Sequence, residues 1–336
     1  VLAVCMDIDR RQLLSLTAVS LATGCLTVNT SNQATEQPET DPPTEKPETE
    51  TPTETAAEST PRNVSVVVGE TFGGDQLSAA VEEVTRKTEL RGEDSGNNIF
   101  LLTRLAVKNV TSNYQIKLGS PYTPFVAPIK DNNGYNYEGE IPFKLDKGYG
   151  ENILAPGEVI RGNWVYELPD DSSGLEMRFD FSDYPAMDLN RVIVDLSEES
   201  PSPEELALNL AIETHNIGDT ISYDGLAVTV NEVTYSQQKN DQQAVVDVTF
   251  SNETGKEIPD GHIVKLSCKD GRGFEMNTPL LSDISQEYTD DTPLAPGETR
   301  RGKVPFDLVP KEPSNLYCSF EFSEFVEGQK SFWKLR

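Results

Sequence analysis

Few side chains in these 336 residues are of the kinds that do chemistry, and their spacing decides what each can do. The two histidines, His215 and His262, stand apart among loop-forming residues. Neither has a serine and an acid arranged around it as a nucleophile–base system would need, and a histidine zinc site lacks further ligands. Asp131-Asn132-Asn133-Gly134 begins like a calcium loop, but it is one ligand pair short and no bidentate glutamate follows at the right distance. It reads as a hairpin turn. The acidic pairs Asp170-Asp171 and Asp290-Asp291 read as solvated loops. The expectation is a protein that is not an enzyme, with no catalytic residues, no metal site and no cofactor.

The remaining reactive groups concern location and modification. N-x-[ST] acceptors for N-glycosylation occur at Asn29, Asn63, Asn109 and Asn252. The alternative at Asn109 and Asn252 is an asparagine favoured for the turn at a strand end. From Met6, read as the initiator, Arg10-Arg11 precedes a short apolar run, Leu13 to Ala22. That is a signal peptide, too short and too weakly apolar to span a bilayer, and the paired arginines resemble a twin-arginine export signal. Leu21-Ala22-Thr23-Gly24-Cys25 resembles a lipobox, which makes Cys25 the lipidated residue; Ala22 stands where the usual pattern has leucine. Residues 27–62 hold no aromatic residue and repeat Thr, Glu and Pro, a composition expected to remain a disordered, extended stalk.

The elements that position the rest come in duplicate. Val68-Gly69-Glu70-Thr71 is echoed by Ile217-Gly218-Asp219-Thr220, and Leu77–Thr85 by Leu226–Thr234. Val107-Lys108-Asn109 pairs with Phe250-Ser251-Asn252, and Lys130-Asp131 through Tyr135 with Lys269-Asp270 through Phe274. Leu154-Ala155-Pro156-Gly157-Glu158, followed by Arg161-Gly162, recurs as Leu294-Ala295-Pro296-Gly297-Glu298, followed by Arg301-Gly302. Leu175–Phe181 matches Leu316–Phe322. Six matches in one order indicate duplication.

Within each copy apolar residues alternate with polar ones, as in Ala244–Phe250, the period of half-buried strands. Gly, Pro, Asn and Asp separate the runs, and Leu-Ala-Pro-Gly-Glu fits a turn with proline second and glycine third. The fold class is therefore all-β: two tandem Ig-like antiparallel β-sandwiches after a signal peptide and a disordered stalk. The boundaries read as 1–24 signal peptide, 25–62 lipidated cysteine and stalk, 63–197 first domain, 198–211 linker with one helical turn, and 212–336 second domain. Each copy carries a full set of strand and turn signals and is expected to fold as its own sandwich. Cys268 and Cys318 align with Ile129 and Met177 of the first copy, so both are expected in the core on nearby strands. They are either a candidate disulfide, which an exported chain allows, or two buried thiols.

This order of blocks resembles an uncharacterised Ig-like domain family that recurs on bacterial and archaeal lipoproteins. The similarity covers about residues 64–196 and 212–336. The first copy departs by a longer segment between Lys87 and Phe100. The resemblance implies the fold and an exported, anchored location; that family brings no agreed activity.

A net charge of −28, from 56 acidic against 28 basic residues, excludes nucleic acid as a partner class and resembles the proteins of salt-loving archaea. The expected function is a membrane-anchored extracellular lipoprotein of non-catalytic Ig-like domains, held on the membrane by its lipid, that binds a protein or cell-envelope partner; its oligomeric state is left open. The alternative is a solute- or metal-capturing lipoprotein associated with a transporter. Alternating helix patterns for two α/β lobes, which a capture protein would need, are missing.

Overall fold

The computed structural model describes residues 62–336 apart from 91, 119–124, 140–152, 239–240, 261–265, 277, 279–284, 290, 310–314 and 323–328. The leader with Arg10 and Arg11, Cys25, Asn29, His262 and Asp290 lie outside the described residues.

Alternating side chains give each repeat two sheets whose inner faces close on one another. In the first repeat a five-stranded sheet runs in the order Arg62–Val68, Leu189–Glu199, Glu176–Asp180, Ile129–Lys130, Asn136–Tyr137. The facing four-stranded sheet runs Val159–Pro169, Asn98–Asn109, Leu77–Lys87, Thr71–Gly73. The second repeat reproduces this order with Thr214–His215, Lys330–Lys334, Leu316–Glu321, Leu266–Asp270, Glu275–Met276 against Thr220–Tyr223, Leu226–Gln238, Asp241–Asn252, Thr299–Val309. Even a register shift recurs, between Val81 and Glu83 and between Val230 and Glu232.

One feature departs from the antiparallel expectation. In each repeat the first strand pairs in parallel with the last one, Arg62–Val68 on Leu189–Glu199 and Thr214–His215 on Lys330–Lys334. The longer segment of the first copy forms a small hairpin, Glu89–Leu90 against Glu93–Asp94. Each repeat has its own apolar core, with Trp164 in the first and Trp333 in the second.

The matched blocks are turns closed by their own side chains. Glu70 accepts the Val67 N–H at 3.1 Å, and Asp219 accepts that of Asn216 at 2.7 Å. Asp131 Oδ1 accepts the N–H groups of Asn133 and Tyr135, and Asp270 Oδ1 those of Arg272 and Phe274. Asp131 is therefore the hinge of a turn, as its flanking strands require. In both Leu-Ala-Pro-Gly-Glu blocks the glutamate N–H returns to the alanine carbonyl at 2.9 Å. The third-position glycines, Gly157 and Gly297, take φ of +76° and +77°, which that turn demands. Glu158 Oε2 accepts the Ala155 N–H at 2.8 Å, and Glu298 Oε2 that of Ala295 at 2.9 Å.

An asparagine fastens each of these turns to the strand beside it. Asn109 donates from Nδ2 to the carbonyls of Tyr114 and Leu154, at 3.0 and 2.9 Å. Its Oδ1 accepts from the N–H and hydroxyl of Thr111 at 2.9 and 2.7 Å. Asn252 repeats this with the carbonyls of Lys256 and Leu294, both at 2.8 Å, and with Thr254 at 2.9 and 2.6 Å. Both side chains are buried with every hydrogen-bonding position used.

Asn252→Ala would strip the Thr254 N–H of its acceptor and take one donor each from the carbonyls of Leu294 and Lys256, which keep the Ile258 N–H and the Thr254 hydroxyl. A loss of about 2 kcal/mol is expected in denaturant unfolding, since one stranded donor costs about 1–3 kcal/mol and the lost bonds to the two carbonyls add little. A loss below about 1 kcal/mol would contradict this account.

Candidate functional site

The most concentrated chemistry among the described residues lies where the two repeats meet. Residues 153–162 of the first repeat are all buried except half-buried Asn163 beyond them, whereas Ala295, Pro296 and Gly297 of the second are exposed. The cover on the first turn comes from two directions.

One is the connector. Its sequence allowed a helical turn; the structure holds residues 203–211 without one, docked on the outer face of the four-stranded sheet. The Asn209 and Ala211 N–H groups donate to the carbonyls of Gly157 and Pro156 at 3.1 and 2.9 Å. Leu206 packs on Ala80, Ala106 and Val159. Its carbonyl accepts from Arg161 Nη2 at 2.7 Å, while Arg161 also forms a two-pronged pair with Glu82 at 2.8 and 2.7 Å. Lys108 donates to the Ala207 carbonyl at 2.9 Å, and burial followed by the neighbouring Arg161 holds its pKa below the usual lysine range.

The other is the second repeat. Glu158 Oε1 accepts from Lys269 Nζ at 2.5 Å and from Lys330 Nζ at 2.7 Å, and Lys330 also reaches the Ile153 carbonyl at 3.3 Å. All three side chains are at most 1% exposed. The hairpin after Lys269 presses Gly273 against Val159: a Cβ on Gly273 would stand 2.6 Å from the Val159 carbonyl oxygen. Phe274 lies beneath the guanidinium groups of Arg104, Arg161 and Arg272, at 5.3, 5.5 and 5.1 Å. Arg272 pairs with Glu205 of the connector at 3.0 Å.

The cluster sets one carboxylate of the first repeat between two ammonium groups of the second. Burying one carboxylate between two ammonium groups carries a desolvation cost comparable to the attraction it gains, so its main effect is to fix which surfaces meet. Sequence reasoning did not find these residues. In the sequence Lys269 is only part of a repeated hairpin, and Lys330 lies outside every repeated block.

The sequence-derived residues fall elsewhere. Asn63 is exposed on its edge strand, as a glycan acceptor must be. Asn109 and Asn252 are corrected: both are buried, and each Nδ2 that would carry a sugar is committed to two carbonyls. Cys268 and Cys318 stand directly opposite on neighbouring strands, as Ile129 and Met177 do in the first repeat. The candidate disulfide is also corrected, because both are free, buried thiols packed where the first repeat has an apolar pair. Burial pushes both thiols up, with Cys318 adding to the effect on Cys268. His215 is half-buried beside the Trp333 ring at 6.0 Å. Among the described residues no three His, Cys, Asp or Glu side chains are grouped to hold a metal. A polar cavity of 370 Å³ lies on the first repeat, lined by Gly69, Glu70, Thr71, Ser200, Ser202 and Glu204.

Two sandwiches of one strand order, joined by buried ion pairs, define a tandem β-sandwich protein. The chain belongs to the family described as "Domain of unknown function (DUF4352)", which matches it twice, at residues 66–187 and 215–331, well over half its length. Among solved structures it is similar to the YjhA protein of Bacillus subtilis, with 17% identity over 37% of this chain and 100% of that one and a TM-score of 0.30. An uncharacterized β-sandwich protein of Clostridium difficile shows 15% identity over 41% and 100%, TM-score 0.29. A conserved hypothetical protein of Bacillus anthracis shows 19% over 34% and 87%, TM-score 0.25. Comparison with curated proteins returns no match.

Glu158→Ala would leave two buried ammonium groups without their carboxylate. A loss of about 3–5 kcal/mol is expected in denaturant unfolding, with Glu298→Ala, whose position is half-buried, costing less. Equal losses would show that the junction does not matter.

The thiols set a pH dependence. Their folded pKa values lie above the unfolded one, so the folded chain keeps protons that the unfolded chain loses. This stability is complete below about pH 8.5 and declines above it, by about 1.4 kcal/mol per pH unit per thiol. Alkylation read peptide by peptide, without reductant, is expected to label neither thiol in the native protein and both after unfolding. A peptide pair linked through Cys268 and Cys318 would contradict free thiols.

Proposed function

We propose that this chain is a lipid-anchored extracellular protein whose two sandwiches act as one rigid, non-catalytic head, held off the membrane by residues 25–62, for binding a protein or cell-envelope partner. The observation that supports it best is the buried Glu158–Lys269–Lys330 cluster at the junction. A capture protein of two lobes closes over its ligand about a hinge. Opening this junction would draw two lysines out of a filled, ion-paired interior and lift Gly273 off Val159. A fixed head suits display and spacing better than enclosure, so the binding reading is preferred over solute or metal capture.

The anchor rests on the sequence. Cys25 ends a short apolar run after Arg10-Arg11, and two acyl chains at about 0.8 kcal/mol per buried methylene hold a protein on a bilayer. Among the described residues no helix is long and apolar enough to cross a membrane. The acidic surface keeps such a head soluble by self-repulsion.

In the native host, the Cys25→Ser variant is expected to leave the membrane fraction and appear in the medium. Retention on membranes equal to the parent's would overturn the anchor.

A further inference from the structure

The face of the first repeat that meets the connector and the Phe274 hairpin carries two arginines on adjacent strands. Arg104 lies opposite Asn163 and Arg161 opposite Ala106, so the two are diagonal neighbours on one face. Both guanidinium groups lie against the Phe274 ring, 5.3 and 5.5 Å from its centroid. Their donors are not all used. Arg161 gives Nε and Nη2 to Glu82, and Nη2 also to the Leu206 carbonyl. Arg104 gives Nη1 to Glu83. Arg161 Nη1 and Arg104 Nε are buried and, among the described residues, meet no acceptor. The Arg161 side chain has no exposed surface. A buried N–H without an acceptor is costly, most of all on a charged group.

The second repeat supplies the acceptor from its own chain. Arg301 stands at the position of Arg161, and Asp247 at that of Arg104, since Asp247 lies opposite Lys303 as Arg104 lies opposite Asn163. There the carboxylate accepts Arg301 Nε and Nη2 at 2.8 and 3.0 Å. The first repeat thus carries a second cation where its counterpart carries an acid. Lys108, on the same strand and face as Arg104, reports the result. Burial, and then the charge of Arg161, hold its pKa below the usual lysine range.

We infer that the first repeat binds a small monovalent anion of the chloride class beside Phe274, accepting the N–H groups of Arg104 Nε and Arg161 Nη1. The ion does there what Asp247 does within the second repeat. A halide suits the site because it accepts from any direction and carries no hydrogens. A water would bring two hydrogens that need acceptors of their own, and all four oxygens of Glu82 and Glu83 are already engaged. Sulfate and phosphate spread their charge over several oxygens, and two N–H groups are too few to satisfy them. Phe274 belongs to the second repeat and both arginines to the first, so the ion strengthens the contact between repeats. Salt then acts in two ways. Any salt screens the net charge of −28, whereas only a fitting anion fills this site. Neither effect depends on the lipid anchor.

Crystals of the full chain equilibrated in sodium bromide test the site directly, because bromide replaces chloride and scatters anomalously. A peak in contact with Arg104 Nε and Arg161 Nη1 is expected. A water at that place, or bromide at other places only, would overturn the proposal. Urea unfolding gives the test in solution, with sodium chloride compared against sodium fluoride at about 1 M, where both screen over about 3 Å. Fluoride holds its hydration shell more tightly and serves as the poorly fitting ion. Arg104→Lys keeps the charge but removes the Nε donor, and general effects of the two salts cancel between parent and variant. The chloride-specific rise in the parent's unfolding midpoint is expected to follow concentration as ligand binding does, and the variant to lose at least half of it. Equal rises in parent and variant would also overturn the site. The Arg104 side chain is 28% exposed, which favours a folded variant. Should its circular dichroism lose the β spectrum, Arg104→Gln replaces it, and the bromide peak decides if both fail.

Discussion

The carboxylate of Glu158 divides its oxygens between two tasks. Oε2 accepts the Ala155 N–H and closes the turn that carries it, and Oε1 accepts Lys269 and Lys330 from the other repeat. The first task is local and recurs at Glu298. At Glu298 the other oxygen accepts from Arg300 of its own turn; at Glu158 the second task depends on the first, because an ion pair with no exposed atoms tolerates little displacement of its acceptor. The turn is held in turn by Asn109, whose amide bonds the Leu154 carbonyl and whose backbone bonds Gly157 and Glu158. Arg161, three residues beyond Glu158, fixes the connector at Leu206. Strand end, turn, connector and neighbouring repeat thus converge on one short segment.

Much of the fold was legible because turns are written in short-range chemistry. Glycine at the third place of the Ala-Pro-Gly-Glu turn, an acid two residues after Ile217 or Val68, and an aspartate opening each hairpin all act within a few residues of themselves, and each recurs. The pairing of Ile129 with Met177 follows from the same alignment that placed the cysteines. The sequons at Asn109 and Asn252 were misleading for an instructive reason. Asn-x-Thr is a glycosylation signal and also a closed hydrogen-bonding unit, and only burial distinguishes the two.

The junction was illegible because duplication was read through similarity, whereas an interface between repeats lies in their differences. Ala79-Ala80-Val81 breaks the alternation that Val228-Thr229-Val230 keeps, which signals an outer face that is covered in one copy and wet in the other. Phe274 in place of Tyr135 gives the same indication on the hairpin. The two cores remain separate, each with its own tryptophan, so the expectation of two sandwiches and the finding of a shared buried junction describe different layers of one structure. For a protein proposed to stand on a stalk, the consequence is a head whose two ends hold a fixed relation.

Coupling of the repeats through Glu158 is tested most directly by following each tryptophan as the full chain unfolds. Trp164 reports the first repeat and Trp333 the second, so Trp164→Phe and Trp333→Phe variants isolate one signal each. Coupling predicts that the two denaturant transitions coincide in chains with Glu158 and separate once it is replaced by alanine. Two well-separated transitions in the chain that keeps Glu158 would contradict it.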